Sequence, residues 1–298
     1  MNLNKELMIM WLADNWSDYE VVDTGNGEKL ERWGQYRLLR PDPQVIWGES
    51  IRDAQKAHAI YKRSASGGGK WTYQKQLPES WEITYQELKF RVRPTGFKHT
   101  GLFPEQAANW DFLEEIIKNA GRHIKVLNLF AYTGGATVAA LHAGASVCHV
   151  DASKGMVSWA KENVKLSGLD QRPVRFIVDD VLKFVQREQR RGSYYHGIIM
   201  DPPSYGRGPG GEIWKLENEL YPLVKECVKI LEDKPLFFLI NSYTTGLAPS
   251  VLSNILRLTC ADKQRFYSLE ADELGLPVTR GGIVLPCGSA ARGIFQQQ

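Results

Sequence analysis

The chain is sparing with the residues that build a metal centre, a disulfide scaffold or a membrane span. Its four cysteines, Cys148, Cys227, Cys260 and Cys287, stand far apart with no C-x-x-C pair. They read as reduced thiols of a cytoplasmic protein, not as bridges or zinc ligands. Six histidines are scattered without metal-ligand spacing, so no metal is expected. The apolar run from Leu7 to Ala13 meets Asp14 too soon to serve as a signal peptide or membrane span. A formal net charge of +3 is too small to argue for any partner. What remains is an ordinary globular composition, 43 % apolar and 24 % charged, in 298 residues. That length suffices for one large domain and a small one.

The chain is organised around the stretch from Val126 to Asp151. Val126, Leu127, Leu129 and Phe130 form a short apolar run of the kind that fills a parallel sheet covered on both faces. Gly134 and Gly135 follow at once, where a tight turn can bring backbone N–H groups against a ligand. Asp151 ends the next strand sixteen residues after Gly135. Nucleotide-binding folds place a carboxylate near there to hold ribose hydroxyls. A dinucleotide fold would want G-x-G-x-x-G, so that a pyrophosphate can sit on the helix N-terminus. Here the glycines are adjacent, and Ala136, Val138 and Ala139 fill the first helical turn. This suits a nucleoside without a pyrophosphate.

Residues 1–93 read differently from the rest. Short alternating stretches, Tyr19–Asp23, Leu30–Arg32, Tyr36–Arg40, Trp81–Tyr85 and Leu88–Arg93, are separated by turn signals. They predict a small β-rich domain. From Lys29 to Thr100 there are seven Lys and seven Arg against seven Asp and Glu. Between Ala54 and Pro78 five basic residues and no acidic one are interleaved with Tyr61, Trp71 and Tyr73. Cations for phosphates beside flat faces for bases make a nucleic-acid surface. A solvated loop with structural aromatics fits the same composition. The Ser64–Lys70 glycine run is expected to be mobile and able to order on a substrate.

Within residues 94–298, strands and helices alternate from Val126 onward, which predicts a doubly wound parallel sheet. Ser153 suits the cap of a helix after Asp151, and Val174–Val178 closes on Asp179 and Asp180. Carboxylates there face the ligand crevice, although Asp180 reads equally well as a helix N-cap. Next, His196-Gly-Ile-Ile-Met-Asp-Pro-Pro-Ser-Tyr puts an apolar strand ahead of Asp201, fifty residues after Asp151. Pro202 and Pro203 fix the backbone and remove its N–H donors, leaving the Asp201 carboxylate and the Pro202 carbonyl as acceptors. Tyr205 would offer a flat face to a base, and Gly206–Gly211 a flexible lip where Arg207 meets a phosphate. Leu236–Ile240 is the fifth strand, and Arg265–Leu269 with Ile283–Pro286 makes a final hairpin.

Asn128-Leu-Phe-Ala-Tyr-Thr-Gly-Gly with Asp151 downstream resembles motifs I and II of the class I S-adenosylmethionine-dependent methyltransferases. The Asp179–Asp180 pair resembles motif III, and Asp201-Pro-Pro resembles motif IV of nucleic-acid aminomethylases. The stretch Arg93–Gln106 resembles motif X of the bacterial group that includes 23S rRNA enzymes making 5-methylcytosine and 7-methylguanine. Thr100, Gly101, Phe103 and Gln106 keep that pattern, whereas Leu102, Pro104 and Glu105 depart from it and Ala107 replaces an arginine. The resemblance implies an α/β, Rossmann-like fold: a doubly wound seven-stranded sheet with its last strand antiparallel, beside the β-rich N-terminal domain. It also implies S-adenosylmethionine as cofactor and RNA, above all rRNA, as substrate. Thr100, Phe103, Gln106, Asn128, Phe130, Tyr132, Thr133, Gly134, Gly135, Asp151, Ala152, Ser153, Asp179, Asp180 and Asp201 would bind the cofactor. Asp201, Pro202 and Tyr205 would serve the reaction.

The methylated atom follows from what the acceptor edge lacks. Carbon-5 of cytosine is a poor nucleophile until a thiolate adds to carbon-6. No cysteine stands in Asp201-Pro-Pro-Ser204 or in Asn241-Ser242-Tyr243, and Cys287 alone is not excluded by position. An acceptor edge suits a nitrogen instead. Three other readings stay open: a protein or small-molecule methyltransferase, a nicotinamide oxidoreductase, and a non-catalytic module on the same fold.

Overall fold

The structure, a computed structural model, describes residues 10–64, 68–207, 213–261 and 265–297. Residues 65–67, within the expected mobile run, and 208–212, which include most of the expected lip, lie outside it. Two compact units emerge. One comprises Met1–Trp11, Asn109–Leu274 and Gly288–Gln298; the other comprises Leu12–Ala108 and Gly275–Cys287. The division between the units lies between Ala108 and Asn109, and the tip of the last hairpin groups with the N-terminal strands. Val278 bridges to Val21, Thr279 N–H donates to the Val21 carbonyl at 2.9 Å, and Arg280 reaches Asp53 at 2.6 Å. Such pairings between distant segments leave no trace in local patterning.

In the larger unit an eight-stranded sheet runs in the order Met10–Leu12, Phe266–Pro277, Val284–Phe295, Phe237–Ser242, Gly197–Met200, Lys125–Leu129, Ser146–Asp151, Val174–Val178. The seven expected strands are present, and Met10–Leu12 adds an eighth at the edge. The five strands from Phe237–Ser242 to Val174–Val178 are parallel, while Val284–Phe295 runs antiparallel to Phe237–Ser242. All residues of Gly197–Met200 and Phe237–Ser242 are buried, the signature of a sheet covered by helices on both faces. Gly197 is forced: a β-carbon there would stand 2.3 Å from the ring of its cross-strand partner Phe237. Chain order reverses between Lys125–Leu129 and Gly197–Met200, and such a switch point opens a crevice at the carboxyl ends of the strands. Both motif loops, after Leu129 and after Met200, leave from those ends. Among the described residues no helix is long and apolar enough to cross a membrane.

The smaller unit holds a five-stranded sheet, Tyr19–Gly25, Glu28–Trp33, Tyr36–Pro41, Ala59–Arg63 and Gly69–Tyr73, and a hairpin of Trp81–Tyr85 with Leu88–Val92. Ala59–Arg63 and Gly69–Tyr73 correct the reading of residues 54–78 as loop. Their antiparallel pairing sets Tyr61 against Trp71, with ring centroids 5.4 Å apart. Gly69 is a packing requirement here, since a β-carbon would meet the Lys62 carbonyl at 2.3 Å and the Tyr61 ring at 2.7 Å. Lys62 and Lys70 lie directly opposite each other, both exposed. On other strands of this sheet Arg40 makes two 2.6 Å bonds to the buried Glu31, which also accepts from Tyr19 at 2.7 Å.

Candidate active site

The loop after Leu129 is strained and well tied. Phe130 and Tyr132 hold left-handed φ values of 53° and 52°, a conformation that costs a side-chain-bearing residue on the order of 1 kcal/mol. The Ala131 N–H compensates by donating to the Val150 carbonyl at 3.1 Å. Buried Asn163, one helix away, donates to the Thr133 carbonyl at 2.9 Å. Gly134, with φ 84°, precedes the helix Gly135–His142. A β-carbon on Gly134 would meet Ala160 at 2.9 Å, and one on Gly135 would meet Trp110 at 2.7 Å. The two glycines thus let helix and loop approach closely, a role additional to the one expected from their N–H groups.

Asp151 closes this loop from the neighbouring strand. Its Oδ2 accepts from the Tyr132 N–H at 2.9 Å and its Oδ1 from the Ser153 N–H at 2.8 Å. Burial raises its carboxyl above the ordinary value, and the two N–H groups oppose that rise. Each oxygen accepts one backbone bond and retains a lone pair for a further donor. Ala152 carries the chain to Ser153, which caps the helix Lys154–Leu166. Behind the loop, buried Asn128 donates to Thr137 at 2.9 Å, and Thr137 contacts His149 Nδ1 at 2.9 Å. Burial pushes His149 down to about 3, so this network is neutral at physiological pH.

At the third strand end the two carboxylates divide their work. Asp180 Oδ1 caps the helix Val181–Arg191 by accepting from the Lys183 N–H at 2.9 Å. Asp179 is ion-paired with Arg187 and accepts from the Asp180 N–H at 2.9 Å. The motif after Met200 is held at several points. Asp201 N–H reaches the Leu129 carbonyl at 3.4 Å, and Asp201 Oδ1 is buried. Trp214 Nε1–H donates to the Pro203 carbonyl at 2.6 Å, and the Leu216 N–H donates to the Ser204 carbonyl at 3.1 Å. Tyr205, 52 % exposed, pairs with Lys215 in a short ribbon.

The larger unit therefore gathers Asn128, Phe130, Tyr132, Thr133, Gly134, Gly135, Asp151–Ser153, Asp179, Asp180 and Asp201–Tyr205 on the carboxyl edge of one sheet. Thr100, Phe103 and Gln106 lie in the smaller unit. There Phe103 packs on His99 with centroids 5.3 Å apart, and the Thr100 hydroxyl is buried with no hydrogen-bond partner among the described residues. Sequence reasoning missed Asn163, Arg187 and Trp214. Asn163 was marked by its place on the apolar face of its helix; Trp214 sits behind a glycine run that reads as loop.

No described cysteine is primed as a nucleophile. Burial raises Cys148 and Cys260 to about 11 each and pushes Cys227 higher. Cys287 is raised well above its ordinary value by burial and by Glu105, and its thiol donates to the Leu285 carbonyl at 3.3 Å. Among the described residues no group of three His, Cys, Asp or Glu could hold a metal ion.

Comparison with known proteins agrees with this geometry. An S-adenosylmethionine-dependent methyltransferase from Agrobacterium tumefaciens superposes with a TM-score of 0.89 at 37 % identity, over 97 % of this chain and 94 % of that one. The ribosomal RNA large subunit methyltransferase K/L of Pseudoalteromonas atlantica is 28 % identical over 78 % of this chain but only 35 % of its own length. This chain thus spans about a third of that relative. The ribosomal RNA large subunit methyltransferase K of Neisseria meningitidis is 26 % identical over 80 % of this chain and 70 % of its own. The family model described as S-adenosylmethionine-dependent methyltransferase matches residues 26–215, and the chain belongs to that family.

Proposed function

We propose that the protein methylates a base nitrogen in RNA, with large-subunit rRNA as the substrate. The observation that carries this is the rigid acceptor edge of Asp201 and Pro202, standing beside the Phe130–Gly135 loop at the sheet's switch point. The residues fit S-adenosylmethionine. Asp151 retains a lone pair on each oxygen for a ribose diol, and Asp180 keeps Oδ2 for the adenine amino group. Phe130, Tyr132 and Thr133 lie on the loop that would bound the same cofactor. The cofactor, when bound, supplies an electrophilic methyl on a sulfonium.

The chain's own residues then have two tasks. Asp201 and the Pro202 carbonyl accept from the amino or ring N–H of the target base and hold its nitrogen in line. Tyr205, exposed next to that edge, gives the base a face to stack on. Alignment and exclusion of water would serve this transfer. As the nitrogen gains the methyl and the sulfonium becomes a neutral thioether, the N–H proton held at the Asp201 edge would pass to that carboxylate or to water. A carbon target is disfavoured because no cysteine stands in Asp201–Ser204 or Asn241–Tyr243. In the smaller unit, Lys62, Arg63 and Lys70 on the paired strands Ala59–Arg63 and Gly69–Tyr73 would meet RNA phosphates. Unpaired thiols and rRNA-modifying relatives support a cytoplasmic location.

Incubation of the protein with methyl-tritiated S-adenosylmethionine and unmodified large-subunit rRNA tests the proposal. Label should enter the RNA with wild type. Asp201→Asn should bind the cofactor normally and transfer roughly a hundredfold more slowly, as expected for loss of a positioned hydrogen-bond group. Equal label with both proteins would overturn the assignment.

A further inference from the structure

The contacts of Trp214 reach both halves of the reaction site. Its Nε1–H donates to the Pro203 carbonyl at 2.6 Å, inside the Asp201-Pro-Pro loop. Its ring lies 5.2 Å from that of Phe130, tilted by 55°, at the start of the strained loop after Leu129. One side chain therefore touches the loop proposed to hold the methyl donor and the loop proposed to hold the acceptor.

Local geometry explains how this is possible. Trp214 sits opposite Gly206 in the ribbon of Tyr205–Arg207 with Ile213–Lys215. Directly opposed residues project from the same face of an antiparallel pair. Gly206 has no side chain, and a β-carbon on it would stand 3.7 Å from both Trp214 Cβ and Pro203 Cγ, so Trp214 and Pro203 share that face. Tyr205 and Lys215 project from the other face, where Tyr205 is exposed.

The bond to Pro203 bears on the acceptor edge for a specific reason. The rings of Pro202 and Pro203 fix both φ angles, so the loop's remaining freedom is largely in ψ. Capturing the Pro203 carbonyl fixes one of those torsions and anchors the loop one residue beyond the Pro202 carbonyl and two beyond Asp201. The ring contact acts on the other side. Phe130 occupies a backbone conformation that side-chain-bearing residues rarely hold, and it persists only where neighbours support it. Trp214 is one of those neighbours.

We infer that Trp214 is a positioning residue that sets the acceptor loop against the donor loop, so that the target nitrogen lies in line with the methyl group. This rests on the proposed methyl transfer at the Asp201 edge. Methyl transfer by alignment alone is sensitive to this: a misplacement of about 1 Å costs on the order of a hundredfold in rate.

The test uses the full chain, S-adenosylmethionine titrated by calorimetry, and methyl transfer to unmodified large-subunit rRNA. Trp214→Phe keeps an aromatic ring against Phe130 and loses the bond to Pro203. It should leave the unfolding midpoint and cofactor Kd near wild type, leave the KM for rRNA within about twofold, and lower kcat roughly ten- to a hundredfold. A Trp214→Phe enzyme with kcat within about twofold of wild type would overturn the inference. So would parallel losses of cofactor affinity, turnover and unfolding midpoint, which would make Trp214 a packing residue only. If wild type itself neither binds S-adenosylmethionine nor labels rRNA, the proposed function fails, and the inference falls with it.

Discussion

Each of the two units sinks a carboxylate into the protein, and the two are treated in opposite ways. Glu31 in the smaller unit accepts two bonds from Arg40 and one from Tyr19, with Lys29 a further 3.5 Å away. Burial alone would raise it, yet the charges of Arg40 and Lys29 and these hydrogen bonds hold it down to about 2. Asp151 in the larger unit receives one backbone N–H on each oxygen, and its carboxyl is raised by burial. Glu31 is a completed structural centre. Asp151 is a half-completed one, and in the proposed function its open acceptors take the ribose diol.

The comparison predicts effects of different kinds and sizes. Glu31→Ala leaves Arg40 buried without its partner, and breaking such a pair costs about 3–5 kcal/mol. Chemical denaturation should show that loss, while calorimetry on protein that remains folded should find cofactor affinity unchanged. A large drop in affinity would mean that Glu31 is more than structural.

Asp151→Ala should do the reverse. Losing charge-assisted bonds to the ribose would weaken S-adenosylmethionine binding roughly ten- to a hundredfold, or about 1.5–3 kcal/mol. An Asp151→Ala protein that binds as tightly as wild type would contradict the cofactor reading.

Acid separates the same two groups. Glu31 has a depressed folded value, so its contribution to stability is present above the ordinary carboxylate value of 4.5 and is lost as pH falls towards about 2. The stability gap between wild type and Glu31→Gln should therefore narrow across that interval in equilibrium unfolding. Asp151 has a raised value and takes up its proton earlier in the descent. Cofactor affinity should fall on acidification before Glu31's contribution is lost.

The smallest effect is expected at the surface of the smaller unit. Replacing Lys62, Arg63 and Lys70 by Gln should lower the slope of log affinity for RNA against log salt by roughly two to three, since fewer counterions are released. An unchanged slope would leave the hairpin as a solvated surface.

The larger unit was the more legible of the two. Its strands are buried on both faces, so they appear as apolar runs, and the Gly134-Gly135 turn, Asp151 and Asp201-Pro-Pro fall at their ends. The Asp180 cap was legible too, because an aspartate ahead of Val181-Leu-Lys-Phe has a local signature. The smaller unit hid more. Ala59–Arg63 and Gly69–Tyr73 were masked by glycines that read as flexible, although Gly69 exists to make room for the Tyr61 ring. The return of residues 275–287 to the N-terminal strands depends on pairings across some 250 positions, such as Val21 with Val278, and local pattern carries no record of them. Trp214 escaped for a related reason: its partners Phe130 and Pro203 are remote from it in sequence, or hidden behind the glycine stretch.

The central claim is transfer to a nitrogen at the Asp201 edge without covalent help from a thiol. Its most direct test is to label unmodified large-subunit rRNA with the wild-type protein, digest it to nucleosides and locate the methyl by mass spectrometry, alongside 5-fluorocytidine-substituted RNA. The account predicts an N-methylated nucleoside and no denaturant-stable complex with the fluorinated RNA. A methyl on carbon-5, with a stable complex that disappears in Cys287→Ser, would contradict it.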